Sequence, residues 1–81
     1  ASILFSEEIE NNLSYLLNDR NEKGLTLLVH PYLEAFFKKG IISKQLRWFF
    51  KYKQWIPVRG LTAHHLLQYS FVNKSNEEIT L

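Results

Sequence analysis

The spacing of apolar residues predicts a first helix in the N-terminal quarter of the chain. Apolar side chains recur there at three- and four-residue intervals, which is typical of a helix with one face against a core. Ser6 is the predicted start, because its hydroxyl can cap the first turn and the acids Glu7 and Glu8 follow at the positive end of the helix dipole. Gly24 is the predicted end. The predicted inner face consists of Ile9, Leu13, Leu16 and Leu17.

A strand and a second helix are predicted next. Residues Leu25 to Val29 form a short and almost unbroken apolar run, which favours a buried strand over a helix. Pro31 predicts a helix start, because its missing N–H costs nothing at the first helical position, and Gly40 predicts the end. The inner face of this helix is predicted to be Leu33, Phe36 and Phe37.

The third helix has the clearest separation of apolar and charged positions. Ser43 is its predicted cap, and it is expected to run to about Gln54. One face carries apolar residues and is predicted to face the core: Leu46, Phe49 and Phe50. The other face is predicted to meet solvent: Lys44, Arg47, Trp48 and Lys51.

After Trp55 the period of the pattern changes from helical to two, which is typical of strands. Ile56 and Val58 flank Pro57, and because proline cannot donate to a ladder, this strand is expected at an edge. Residues 60–65 are predicted to be a loop, and a half-buried strand is predicted from the alternation of Leu67, Tyr69 and Phe71. A polar turn over 73–76 precedes residues 77–81, which are candidates for a short last strand.

Together these elements predict an α+β fold in which three helices pack on a small mixed β-sheet. Their order is α-β-α-α-β-β, with the candidate last strand at the end. The length of 81 residues corresponds to one domain, residues 1–81. Because the chain starts at Ala1 and not at Met, we expect an excised fragment of a longer protein.

Composition excludes several classes of protein. A content of 46% hydrophobic and 22% charged residues is ordinary for globular domains and argues against disorder. The chain has no cysteine, which excludes a disulfide scaffold, a thiol nucleophile and a cysteine-based zinc site. No apolar run approaches the ~20 residues that a membrane-spanning helix needs.

The net charge of +2 conceals an uneven distribution of charge. No acid lies between Ala35 and Asn76, whereas that span contains eight basic residues: Lys38, Lys39, Lys44, Arg47, Lys51, Lys53, Arg59 and Lys74. Such an excess attracts a phosphate backbone or an acidic protein surface. The alternative is a solvated surface whose balancing acids lie on the first helix, folded back against it.

Catalytic and metal-binding signatures are weak. The three glycines are isolated, so there is no glycine-rich phosphate loop. His64 and His65 are adjacent and would point to opposite sides of an extended chain, so the histidines favour loop and helix-cap roles, His30 included, over a zinc site. No serine has an evident base or oxyanion hole. We therefore expect this segment to be non-catalytic.

Three segments, taken in order and spacing, carry a resemblance to a known family. They are LTLLVHPYLEAFFKKG (Leu25 to Gly40), QLRWFFKYKQWI (Gln45 to Ile56) and LQYSFVNKSNEEI (Leu67 to Ile79). This string resembles the C-terminal small domain of bacterial ribonuclease E/G proteins, in the compact form of Bacteroidetes-like enzymes. The resemblance covers Glu7 to Ile79, nearly the whole chain.

The resemblance implies a parent enzyme that is cytoplasmic, depends on Mg²⁺ and cuts single-stranded RNA, with a preference for a 5′-monophosphate end. It places the catalytic aspartates in a domain upstream of this chain, so no catalytic residue is carried over to any position here. No cofactor is therefore expected in this fragment. The role implied for the small domain is to help the nuclease subunits assemble, with RNA contact as a secondary role.

Five residues of the third helix region are candidate contacts with a partner protein or RNA: Lys44, Arg47, Trp48, Lys51 and Trp55. For assembly, an exposed Trp48 would be the anchor, since tryptophan is common among interface hot spots. The alternative is that Trp48 lies beneath the strands or another helix of its own domain. For RNA, basic groups would hold phosphates while aromatic rings stack bases, as in a stand-alone small basic RNA-binding module. A KH domain is excluded, because residues 38–42 lack its two-glycine clamp.

Overall fold

The computed structural model describes residues 2–39 and 43–81 of the chain. Within them lie three helices and three strands in the predicted order, which confirms the α+β class. The first helix, α1, is Ser2–Ser14 with a π-helical last turn, Tyr15–Asp19. The remaining elements are β1 (Thr26–Val29), α2 (Pro31–Lys38), α3 (Lys44–Tyr52), β2 (Val58–Gly60) and β3 (Tyr69–Val72).

The sheet is mixed, with strand order β2-β1-β3. β1 pairs in parallel with β2 and antiparallel with β3, and Leu27 of β1 lies opposite both Val58 and Phe71. The edge position predicted around Pro57 is confirmed, and the Pro57 carbonyl accepts from the Leu27 N–H at 2.9 Å. Helices α2 and α3 form the crossover that a parallel pair of strands requires.

All three helices cover the same face of the sheet. That face presents buried Leu27, Val29, Val58 and Phe71. The predicted inner stripe of α1 is confirmed, since all four of its residues are buried in the same cluster. On α2, Leu33 and Phe37 are buried and Phe36 is partly buried against them. The result is a two-layer domain with one core between the layers.

The start of α1 differs from the prediction. The helix begins at Ser2, so Ser6 lies inside it and is not a cap. Ser6 is buried, and its hydroxyl has no hydrogen-bond partner in the described part of the chain. The part of α1 before Ser6 also contacts the sheet. The ring of Phe5 packs edge-on against that of Tyr69, with 5.4 Å between the centroids. Helical structure ends at Asp19, and Gly24, with φ of +69°, lies in the loop that follows.

The predicted start of α2 is confirmed. Pro31 is its first residue, and the ring Nδ1 of His30 accepts from the Tyr32 N–H at 3.1 Å, which is the helix-cap role predicted for this histidine. The described part of α2 ends at Lys38, whose ammonium pairs with Glu34 at 2.8 Å. Gly40, the predicted terminator, lies outside the described residues.

The C-terminal segment is partly as predicted. Tyr69 and Phe71 lie in β3, but Leu67 is exposed in the preceding loop. The turn over 73–76 is confirmed, and the side-chain oxygen of Asn73 accepts from the backbone N–H groups of residues 75 and 77. The candidate last strand is a single bridge, Val72 to Glu78, extended by the hydrogen bond from the Ile79 N–H to the Phe71 carbonyl at 2.8 Å.

Candidate protein-interaction surface on the third helix

The orientation of α3 is the main departure from the sequence prediction. Ser43 caps the helix as expected, its hydroxyl accepting from the Leu46 N–H at 3.1 Å. Trp48, predicted to face solvent, is only 3% exposed. Its ring packs against Phe37 at 5.4 Å between centroids, and its indole N–H donates to Glu10 of α1 at 3.2 Å. The alternative placement of Trp48, beneath another helix of its own domain, is therefore the correct one.

Polar side chains accompany Trp48 on the inner side of α3. The buried Gln45 amide donates to the carbonyl of Ile56 at 2.9 Å, which ties the helix to the chain entering β2. Tyr52, half-buried against the core, continues the same side. The Gln45 amide and the Trp48 indole N–H thus each donate to an acceptor, which is the condition for burying polar groups at low cost.

Because α3 buries the side that carries Trp48, its other apolar stripe lies at the surface. Phe49 and Phe50, predicted to be core, are 41% and 59% exposed, and that prediction is wrong. Trp55, just beyond the helix, is 51% exposed. The ring of Phe49 lies 6.0 Å from that of Phe50 and 6.2 Å from that of Trp55, between centroids. We call these three rings the aromatic face. Single exposed apolar side chains are ordinary, but contiguous ones mark interaction sites.

Basic side chains lie on and around α3. Arg47, Lys51 and Lys53 are exposed, and none of them forms an ion pair with any residue that the structure describes. Lys53 adopts φ of +60° as the C-cap, so the helix ends at Tyr52, two residues before the predicted Gln54. These three cations and the aromatic face together give a positively charged, partly apolar surface.

Lys44 behaves differently from the other cations of the predicted basic face. Its ammonium lies 3.4 Å from the same Glu10 oxygen that accepts from Trp48. One acid of the first helix, Glu10, therefore does lie against α3. The five candidate contacts thus separate into two that hold the fold together, Lys44 and Trp48, and three that are exposed: Arg47, Lys51 and Trp55.

A polar cluster joins α1 to β3. The Asn12 amide donates to the Tyr69 hydroxyl. Burial raises the pKa of Tyr69 above its ordinary value, and the nearby Glu8 carboxylate raises it further. The hydrogen bond from Asn12 to Tyr69 thus ties the first helix to the last strand.

Two other features of the domain concern pockets and metal ligands. A shallow cleft of about 300 Å³ lies over α2, lined by Tyr32, Ala35, Phe36 and Lys39. Among residues 2–39 and 43–81, no three His, Asp or Glu side chains are grouped so that they could hold a metal ion. No helix within the same ranges is long and apolar enough to cross a membrane.

Comparison of the chain with protein-family models, curated proteins and solved structures finds no match. Sequence reasoning identified Trp55 but missed Phe49 and Phe50 as surface residues. A signal was present, because Gln45, Trp48 and Tyr52 also share one side of a helix and offer a second way to face the core.

Proposed function

We propose that this chain is a non-catalytic C-terminal domain of a ribonuclease E/G-like endoribonuclease that serves subunit assembly through the aromatic face. The resemblance of the three quoted segments supports the family. The observation that carries the interaction role is that the Phe49–Phe50 stripe of α3 points away from the core, next to Trp55. On the same proposal, catalysis and its Mg²⁺ belong to the upstream part of a cytoplasmic enzyme, which processes and degrades RNA.

The size of the aromatic face is consistent with the centre of an interface. Aromatic side chains offer roughly 150–250 Å² each, so three that are about half exposed present roughly 300 Å². That is the size of the largest apolar patch on a typical monomer, which is often functional. At about 25 cal/mol per Å², its burial would contribute roughly 7 kcal/mol before the costs of association. A stable interface covers about 800 Å² per partner, so flanking residues must take part.

A second candidate function is RNA binding, as an auxiliary role or as that of a stand-alone small basic module. The observation that favours it is the exposure of Arg47, Lys51 and Lys53 around Phe50 and Trp55. Cations can hold phosphates while each ring stacks a base, at about 1–3 kcal/mol per base. Assembly is the better-supported function, because the exposed side of α3 consists mainly of apolar rings and carries its cations at the edges.

Sedimentation velocity of the 81-residue chain over a range of concentrations tests the assembly role. The double variant Phe50→Ala, Trp55→Ala should shift the chain toward monomer, because truncating an interface aromatic commonly costs about 2 kcal/mol or more. The matched control is Tyr32→Ala, Leu67→Ala, which removes exposed apolar surface from other parts of the domain. If the first variant sediments like the unmodified chain, the aromatic face is not an assembly surface.

A further inference from the structure

We infer that the aromatic face binds the outer face of α1 in a second copy of this chain, so that copies associate head to tail. This inference rests on the proposed assembly function and names its partner. It is carried by two surfaces of opposite character on one domain: a basic, aromatic surface on α3 and an acidic surface with exposed apolar side chains on α1.

The outer face of α1 consists of five exposed residues at helical spacing: Leu4, Glu7, Glu8, Asn11 and Tyr15. Leu4 is 71% exposed and Tyr15 is 44% exposed, so the face offers apolar surface at both ends. The two carboxylates lie between them, on the side of the helix opposite the buried stripe that contains Ile9 and Leu13. We call this the acidic face.

Charge repulsion disfavours the simplest alternative, a symmetric dimer in which the aromatic faces of two copies pack on each other. A two-fold interface of that kind would bring Arg47, Lys51 and Lys53 of one copy toward the same cations of the other. Like charges brought together in an interface oppose association, whereas opposite charges select the partner. The acidic face supplies the opposite charge together with apolar side chains for the rings to cover.

The two faces cannot meet within one chain. The side of α3 that contacts α1 carries Lys44 and Trp48, both bound to Glu10. Phe50 lies on the far side of α3 from these residues, since it follows Trp48 by two positions, about 200° around the helix. The aromatic face of a chain therefore points away from its own α1, and a second copy must provide the acidic face.

A head-to-tail interface is heterologous, so an open assembly keeps one unused aromatic face at one end and one unused acidic face at the other unless a ring closes. This property allows a decisive mixing experiment with two variants of the 81-residue chain. One carries Phe50→Glu, which puts a negative charge on the aromatic face. The other carries Leu4→Ser and Glu7→Lys, which reverses charge and removes apolar surface on the acidic face. Tyr32→Glu and the pair Leu67→Ser, Glu78→Lys are the matched controls at exposed positions elsewhere.

Sedimentation velocity should find each face variant monomeric where the unmodified chain assembles, with self-association at least about tenfold weaker. An equimolar mixture of the two should form a one-to-one dimer, because each variant contributes one intact face. The controls should assemble like the unmodified chain. Circular dichroism melts at a concentration where every chain is monomeric should nearly coincide, since every substituted side chain is exposed and assembly no longer adds to stability.

Three outcomes would overturn the inference. If the α1 variant assembles normally while Phe50→Glu is monomeric, the aromatic face has another occupant, and the proposed assembly function stands. If both variants stay monomeric when mixed, the interface is not head to tail. If the unmodified chain is monomeric at every concentration and instead binds a single-stranded RNA oligonucleotide, both the inference and the assembly function are wrong.

Discussion

The indole N–H of Trp48 donates a hydrogen bond to the carboxylate of Glu10, a residue 38 positions earlier in the chain. This bond joins α3 to α1, and with Phe37 beneath the ring it determines which side of α3 faces the core. The aromatic face is at the surface as a direct consequence.

The first prediction compares Trp48 with Phe50. Trp48→Ala should lower the free energy of unfolding by about 3–5 kcal/mol, because it empties a buried site. Phe50→Ala should change it by less than about 0.5 kcal/mol, because the side chain is more than half exposed. Urea denaturation of both variants measures the difference. Equal losses would mean that α3 does not bury Trp48 and expose Phe50.

The second prediction concerns Glu10, which accepts from both Trp48 and Lys44. Glu10→Ala should cost about 1–2 kcal/mol of stability, because the indole N–H then has no acceptor. Glu10→Gln should cost less than about 1 kcal/mol, because the amide oxygen still accepts and the lost ion pair is partly exposed. Thermal or urea melts test the order of the two variants, and a Gln variant as unstable as the Ala variant would assign the stability to charge instead.

The third prediction concerns the close approach of β2 to the start of α2 at Gly60. A Cβ there would lie 2.7 Å from the Glu34 Oε1 and 3.1 Å from the Pro31 Cα. Gly60→Ala should therefore destabilise the domain by about 1 kcal/mol, because the Pro31 backbone must move by a few tenths of an ångström while the Glu34 carboxylate can swing aside. Adding Glu34→Ala should relieve part of this loss, since it removes the movable neighbour and leaves the backbone of Pro31. A neutral Gly60→Ala variant would show that the helix can shift freely.

The fourth prediction follows from Tyr69. Its pKa is raised in the folded state, chiefly by burial and then by Glu8, above an ordinary value of 10.0. The folded state therefore holds the proton more tightly, and this contribution to stability is complete below that value and is lost as the pH rises through the folded pKa. Tyr69→Phe should make the alkaline fall in stability shallower, and tyrosinate absorbance should show one late-titrating group fewer. An unchanged alkaline profile would contradict the shift.

The fifth prediction separates this chain from the activity of its proposed parent. The isolated chain should not cleave single-stranded RNA, whether Mg²⁺ is added or is removed with a chelator, because catalysis is assigned to upstream residues. Incubation with a labelled oligonucleotide measures this directly. Cleavage that copurifies with the chain and disappears in Trp48→Ala would place catalysis within these 81 residues.

RNA affinity has its own measurement, by fluorescence anisotropy of a labelled single strand at two salt concentrations. Replacing Arg47, Lys51 and Lys53 with Gln should reduce the salt slope by about 0.7 for each phosphate contact that is lost. The matched control is Lys23→Gln, Lys39→Gln, Lys74→Gln, which removes the same charge from exposed positions elsewhere. Equal effects of the two triple variants would indicate non-specific attraction.

Local signals in the sequence were enough for the order and type of the elements. The stripe of Ile9 and Leu13, the apolar run that became β1, and the caps at Pro31 and Ser43 each depend on residues a few positions apart. The α+β class follows from that order. The start of α1 could not be predicted from local signals. Ser6 has a side chain suited to a cap, but the helix continues upstream of it, where Phe5 contacts Tyr69.

The orientation of α3 was decided by tertiary structure alone. Its sequence contains two sides that could face a core, one with Phe49 and Phe50 and the other with Gln45, Trp48 and Tyr52. Hydrophobicity favours the first, and the local pattern offers the second only as an alternative. The second is buried because Phe37, the Glu10 carboxylate and the Ile56 carbonyl, which lie in other parts of the fold, satisfy both its ring and its polar atoms. The candidate site exists because those tertiary partners turn the more apolar side outward.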